Sequence, residues 1–164
     1  MDLNLTDKVF LISGGAKGIG GAISKGLLAE GAIPVIIDPD EKAGLELLKN
    51  SRGLLIPRLL SSPKDVEYAV SLSMRTFDRI DGIVNNAGIN DSVGLEKGNP
   101  ESFAKSVATN LFHYYDLAHY ALPHLKKSGG SIVNISSKTA VTGQGNTSGY
   151  TAAKGAILSL TREW

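Results

Sequence analysis

The chain reads as an α/β protein built on a doubly wound parallel sheet, and the arrangement of its apolar residues carries that reading. Short unbroken apolar runs alternate with stretches whose apolar residues recur every three or four positions, throughout the 164 residues. Unbroken runs suit strands covered by helices on both faces, as in parallel sheets. Their alternation with helical patterns suits βαβ units with right-handed crossovers.

Taken in order, strands are expected at 9–12, 34–37, 54–56, 82–84 and 131–135, each buried on both faces. Between them, Ile19, Ala22, Ile23 and Leu27 are spaced for a helix, and Glu41 to Leu48 forms a weaker helical stretch. Val66, Ala69, Val70, Met74 and Phe77 mark a third helix; Phe103, Val107, Leu111, Tyr114, Ala118 and Leu125 mark a long fourth. No repeat or linker interrupts the pattern, so residues 1–164 are expected to form a single domain.

Composition narrows the function classes. The formal charge is +1 and basic residues do not cluster, which disfavours nucleic acid and anionic membrane as partners. Cysteine is absent, so disulfides and thiolate metal sites are excluded. The first eight residues lack a basic-then-apolar secretory pattern, and no apolar run approaches the roughly 20 residues that span a bilayer. A cytoplasmic protein is expected. His113, His119 and His124 are separated by six and five residues, which suits neither helical pairing nor a metal site. They are expected at the surface or an interface, and no metal is expected.

The first strand runs directly into Ser13-Gly-Gly-Ala-Lys-Gly-Ile-Gly20, and a helix follows. Glycine clusters are commonly plain turns. Between a first strand and a first helix, however, Gly14, Gly18 and Gly20 let the backbone approach a pyrophosphate, and the helix N-terminus favours its charge. Lys17 and Ile19 lie in this loop. Asp38 ends the second apolar run, eighteen residues past Gly20, where a carboxylate can accept hydrogen bonds from an adenosine ribose. It can equally be a turn residue before Pro39. As a ribose ligand it would repel a 2′-phosphate and favour NAD over NADP, whereas Lys17 could contact that phosphate. Asn85-Asn86-Ala87-Gly88 follows the fourth strand, at the carboxyl edge where ligands bind in such sheets, although Asn-Gly sequences are often only turns.

Toward the end, Tyr150-Thr-Ala-Ala-Lys154 places a phenol and an ammonium one helical turn apart. A unit charge at about 5 Å in an effective dielectric of about 20 favours the phenolate by roughly 3 kcal/mol. Thirteen residues earlier, Ser136-Ser137 closes the fifth strand; read alone, two serines there are a cap or loop start. With glycine loop, Asp38, Asn-Asn-Ala-Gly, serine and Tyr-x-x-x-Lys in order, the chain resembles the short-chain dehydrogenase/reductase family over essentially its whole length. Within that family, the segments 90–95 and 136–150 are most similar to the L-fucose dehydrogenases.

The resemblance implies a Rossmann-like fold and an NAD(P)-dependent oxidoreductase, here oxidising a sugar or polyol hydroxyl. Tyr150 would be the general base, Lys154 would assist it and hold the nicotinamide ribose, and Ser137 would hydrogen-bond the reacting oxygen. Asn110 would position a water that relays protons past Lys154; alone, an asparagine in a helix is more often solvated. Gly14, Lys17, Gly18, Ile19, Gly20, Asp38, Asn86, Ala87, Gly88, Tyr150 and Lys154 would bind the cofactor. Ser137, Lys138, Gln144 and Tyr150 would meet a polar substrate, because the segment 138–149 is rich in hydroxyl and amide groups; a solvated loop without substrate contact is the alternative. An NADPH-dependent 3-oxoacyl thioester reductase and a silent nucleotide-binding module are competing functions. One departure is plain: where relatives often carry an aspartate that contacts adenine, this chain reads Arg58-Leu-Leu-Ser-Ser62. Family members also continue with further strands, so a C-terminally incomplete chain is expected, and its full-length form is expected to be a homo-oligomer.

Overall fold

The computed structural model describes residues 3–164. Five strands, β1 (Val9–Ser13), β2 (Ile33–Ile37), β3 (Leu54–Ile56), β4 (Gly82–Asn85) and β5 (Ser131–Asn134), pair in parallel in the order β3-β2-β1-β4-β5. Six helices connect or follow them: α1 (Gly18–Ala29), α2 (Glu41–Leu48), α3 (Pro63–Phe77), α4 (Pro100–Ser128), α5 (Thr139–Thr142) and α6 (Ser148–Glu163). Strand order reverses at β1, which has β2 on one side and β4 on the other. The loops leaving β1 and β4 therefore open a crevice between them, the binding position of doubly wound sheets.

Alternate residues of the strands serve the two faces. Val9, Leu11, Val35, Ile37, Ile56 and Ile83 pack against Val66, Ala69 and Val70 of α3 and Leu117, Ala121 and Leu125 of α4. Ile36 points the other way, into a smaller cluster with Ala16, Leu48, Leu28, Leu47 and Leu55 beneath α1 and α2. Side-chain caps start three of the helices: Asp40 on α2, Ser62 on α3, and Asn99 in a reciprocal capping box with Ser102 on α4.

Two expectations about burial need correction. The strand at the β5 position is not covered on both faces: it lies at the sheet edge, and Val133 is 49% exposed. In α1, the apolar positions Ile19 and Ala22 do not make the buried face; Gly20, Gly21 and Ser24 do. The helix backbone comes so close to the sheet that only small residues fit, and Ser24 Oγ donates to the Gly15 carbonyl at 2.9 Å.

Candidate active site

The glycine loop is held by side chains that reach across from β4. Asn86 Nδ2 donates to the carbonyls of Ser13 and Gly14, both at 3.0 Å, while Ser13 Oγ accepts from the backbone N–H groups of Asn86 and Ala87. Gly14 has φ +65°, and a Cβ on Gly20 would lie 2.1 Å from the Gly14 carbonyl oxygen. These two glycines are therefore required by packing within the protein. Gly18 differs. At φ +55° its missing Cβ would meet nothing within 4 Å, so it leaves open space at the start of α1. That helix begins at Lys17 without a side-chain cap, unlike α2, α3 and α4, so its first N–H groups suit an anion.

Asp38 leaves β2 beside this loop. Its Oδ2 accepts from Ala16 N at 3.1 Å and its Oδ1 from Asp40 N at 2.9 Å, which clamps the carboxylate against the phosphate loop. Lys17 pairs with Asp40 rather than with Asp38, and that ion pair raises its pKa. At the neighbouring rim, Arg58 pairs with Asp65 at 2.7 Å and stacks 4.4 Å from the centre of the Tyr68 ring. Hydrogen bonds from Ser62, Arg58 and Ser61 hold the Asp65 carboxyl down at about 2. Asp65 is thus committed to protein partners and does not replace the carboxylate missing from 58–62.

A cleft of about 1100 Å³ joins these parts, slightly above the usual range of about 300–1000 Å³ for ligand and cofactor sites. Lys17, Gly18 and Ile19 line one side, Asn86 to Ile89 the floor, and Ser136, Tyr150 and Lys154 the other. Four cationic side chains, Lys17, Arg58, Lys105 and Lys154, line it against the single carboxylate of Asp116, a balance that suits phosphate. The glycine cradle, the uncapped helix and the clamped Asp38 together fit a dinucleotide.

On α6, Tyr150 and Lys154 occupy successive turns, with Lys154 Nζ 5.7 Å from the centre of the Tyr150 ring. Lys154 is only 2% exposed. Its Nζ donates to Tyr114 Oη at 2.7 Å and to the Ile135 carbonyl at 2.8 Å, and burial lowers its pKa to about 8. Ser136 Oγ ties the end of β5 to the Lys154 carbonyl at 2.8 Å. Ser137 Oγ accepts from Thr139 N and Thr139 Oγ1 at 3.2 and 3.0 Å, which leaves its own proton free to donate.

Asn110 is fully buried in α4, not solvated as a lone helical asparagine would be. Its Oδ1 accepts from Ile89 N at 2.7 Å, and its Nδ2 donates to the Ser106 carbonyl at 2.9 Å. A Cβ on Gly88 would lie 3.0 Å from Asn110 Oδ1 and 3.4 Å from Lys154 Nζ, so β4's loop, α4 and α6 converge there. Gly20, Asp38, Asn110 and Ser137 support the cleft without lining it. Lys138 and Gln144 are exposed and do not line it either; α5 occupies part of the segment expected to form its wall.

His113 corrects another expectation. It is 5% exposed, lines the cleft, and its Nδ1 is buried without a hydrogen-bond partner. Burial, and secondarily the Lys154 ammonium, push its pKa down to about 4. Tyr114 and Ser13 also do work that sequence reasoning missed. Tyr114 was visible only as one apolar position of a helical face, and Ser13 only as the first residue of the glycine-loop segment.

Among the described residues no helix is long and apolar enough to cross a membrane, and no group of three metal-ligating side chains gathers. Residues 8–164 match the short chain dehydrogenase family. The chain is 37% identical to L-fucose dehydrogenase of Mus musculus over 157 residues, covering 94% of this chain and 58% of the mouse protein. The crystal structure of Cj0485 dehydrogenase superposes with a TM-score of 0.95 at 42% identity, over 100% of this chain and 64% of that one. That of 3-ketoacyl-(acyl-carrier-protein) reductase from Brucella melitensis, complexed with NADH, gives 0.91 at 30% identity, over 98% and 69%. The chain thus spans under two thirds of the length of the mouse relative. By sequence and by fold, it belongs to the short-chain dehydrogenase family.

Proposed function

We propose that the protein is an NAD-dependent dehydrogenase that oxidises a hydroxyl of a small polar substrate, with an L-fucose-like aldose favoured. The observation that carries this reading is a buried, cationic Lys154 one turn from Tyr150 in a cleft floored by the glycine and Asn-Asn-Ala-Gly loops. Tyr150 takes the hydroxyl proton, and the nearby ammonium stabilises the phenolate that does so. Ser137 donates its free proton to the reacting oxygen, because its acceptor capacity is spent on Thr139. Asn110 fixes the loop after β4 through Ile89 N. Gly14, Gly18 and Ile19 would take the pyrophosphate, with Gly20 packed behind them, and Asp38, clamped beside the loop, would take the adenosine ribose. When bound, NAD supplies the acceptor for the hydride that leaves the substrate carbon.

Asp38 supports NAD over NADP, and similarity to the mouse L-fucose dehydrogenase supports the sugar. Lys138 and Gln144 enter this reading as substrate contacts only if their exposed segment closes over the cleft. Likeness to the Brucella reductase favours a second reading, reduction of a 3-oxoacyl thioester. Calorimetric titration with NAD and NADP, followed by a dehydrogenase assay over a panel of aldoses, tests the proposal. Preference for NAD with turnover of an aldose supports it. Preference for NADP with turnover only of 3-oxoacyl thioesters supports the second reading, and dinucleotide binding without any turnover indicates a silent module.

A further inference from the structure

The hydrogen bonds of Lys154 raise a question that the Tyr-x-x-x-Lys pattern does not answer. A lysine 2% exposed needs something to keep its ammonium charged, since burial favours the neutral amine. No carboxylate forms an ion pair with it among the described residues. What meets it is a closed triangle: Lys154 Nζ to Tyr114 Oη at 2.7 Å, Lys154 Nζ to the Ile135 carbonyl at 2.8 Å, and Tyr114 Oη to the same carbonyl at 3.0 Å. The corners come from α6, α4 and the end of β5. Because Tyr114 gives its own proton to Ile135, a lone pair of its oxygen is left facing the ammonium.

We propose that Tyr114 is a positioning residue of the catalytic site: its hydroxyl holds the Lys154 ammonium in place and keeps it protonated where no carboxylate does. The role rests on the dehydrogenase reading for its catalytic meaning, but not for its effect on Lys154. Tyr114 is fully buried, and its pKa is raised by burial and then by Tyr150, so it stays neutral and acts as an acceptor, never as a competing base. Its placement is a consequence of helix geometry. Tyr114 lies one turn after Asn110, and Asn110 approaches the same lysine through Gly88. The titratable groups facing Lys154 are His113 and Tyr114 on α4 and Tyr150 on α6; the residue after β5 presents the Ile135 carbonyl, and the loop after β4 presents Gly88.

The test is to titrate Lys154 Nζ by heteronuclear NMR in the complete protein and in Tyr114→Phe. Loss of the hydroxyl should lower the Lys154 pKa by about one unit. In the same variant kcat should fall about tenfold, the size expected for one hydrogen bond to a charged group, and the alkaline limb of the kcat profile should move to lower pH. If Tyr114→Phe fails to fold, 3-fluorotyrosine installed at position 114 keeps the shape and weakens the acceptor, and should move Lys154 in the same direction by less. A Lys154 pKa that is unchanged in whichever folded variant is titrated would overturn the proposal. A protein without any dehydrogenase turnover would instead end the dehydrogenase reading, and the titration would still decide what Tyr114 does.

Discussion

The two walls of the cleft are made of different material. The wall from β1 and α1 is largely backbone: glycines at positive φ and an uncapped helix start, braced from β2 by the Asp38 carboxylate, which two main-chain N–H groups pin. The side formed by α4, β5 and α6 is side chain: Lys154 lines the cleft, and Asn110 and Tyr114 stand buried behind the lining, hydrogen-bonded across three elements. On the proposed reading, the backbone wall would hold what is the same in every turnover, the charged dinucleotide. A side-chain wall can set protonation states, which the reacting end requires. Substitutions should therefore fail differently on the two sides.

The largest effect belongs to the side-chain wall. Lys154→Met should lower kcat by about a thousandfold, within the range for loss of a group that supports acid–base catalysis. It should also raise stability at pH 7. The folded pKa of about 8 lies below the ordinary 10.5, so native protein holds its proton less firmly than the unfolded chain. That penalty is full below about pH 8 and fades as pH rises toward 10.5, so thermal unfolding of wild type and variant should converge at high pH.

Across the cleft, a single methyl group tests the backbone wall. Gly20→Ala would put a Cβ 2.1 Å from the Gly14 carbonyl oxygen, so the loop must shift away from Asn86. Overpacking of this kind costs about 1–3 kcal/mol, and NAD affinity should fall about tenfold or more by calorimetry. Gly18→Ala meets no neighbour and carries only the strain of φ +55°, so its overall fold stability should fall less than that of Gly20→Ala.

The smallest effect concerns His113, a cleft residue whose buried Nδ1 has no hydrogen-bond partner. Its folded pKa of about 4 lies below the ordinary 6.5, so the unfolded chain takes up a proton first. Stability should fall as pH drops through the range from 6.5 to 4 and be unaffected above pH 7. Replacing it in His113→Gln should flatten that part of the stability profile, measured by chemical denaturation at several pH values.

Much of this was legible in the sequence, for reasons that can be named. The five apolar runs gave β1 to β5 to within a residue at either end, because strands buried in a parallel sheet leave no room for polar interruption. Helix α2 was also found at 41–48 despite its weak pattern. The positions of the glycine loop, Asp38, Tyr150 and Lys154 beside one cleft were legible because each stands at a fixed distance from a strand end or along one helix. What stayed hidden depends on tertiary approach. Ile19 looked like a core position of α1, yet the helix backbone lies so close to the sheet that Gly20 and Gly21 are buried in its place. Tyr114 looked like any apolar position in α4, and nothing local says that its hydroxyl meets a lysine forty residues away. His113 was misread for the same reason: spacing to other histidines says nothing about which face of α4 is covered. Lys138 and Gln144 were chosen for polarity in a segment whose path was not encoded locally.

The account turns on Tyr150 as the base beside a cationic Lys154, and one comparison reaches it most directly. In the complete protein, Tyr150→Phe should lower kcat for aldose oxidation by about a thousandfold while the Kd for NAD stays within about threefold of wild type, since only the proton acceptor is lost. Turnover in Tyr150→Phe at a rate near wild type would contradict the account.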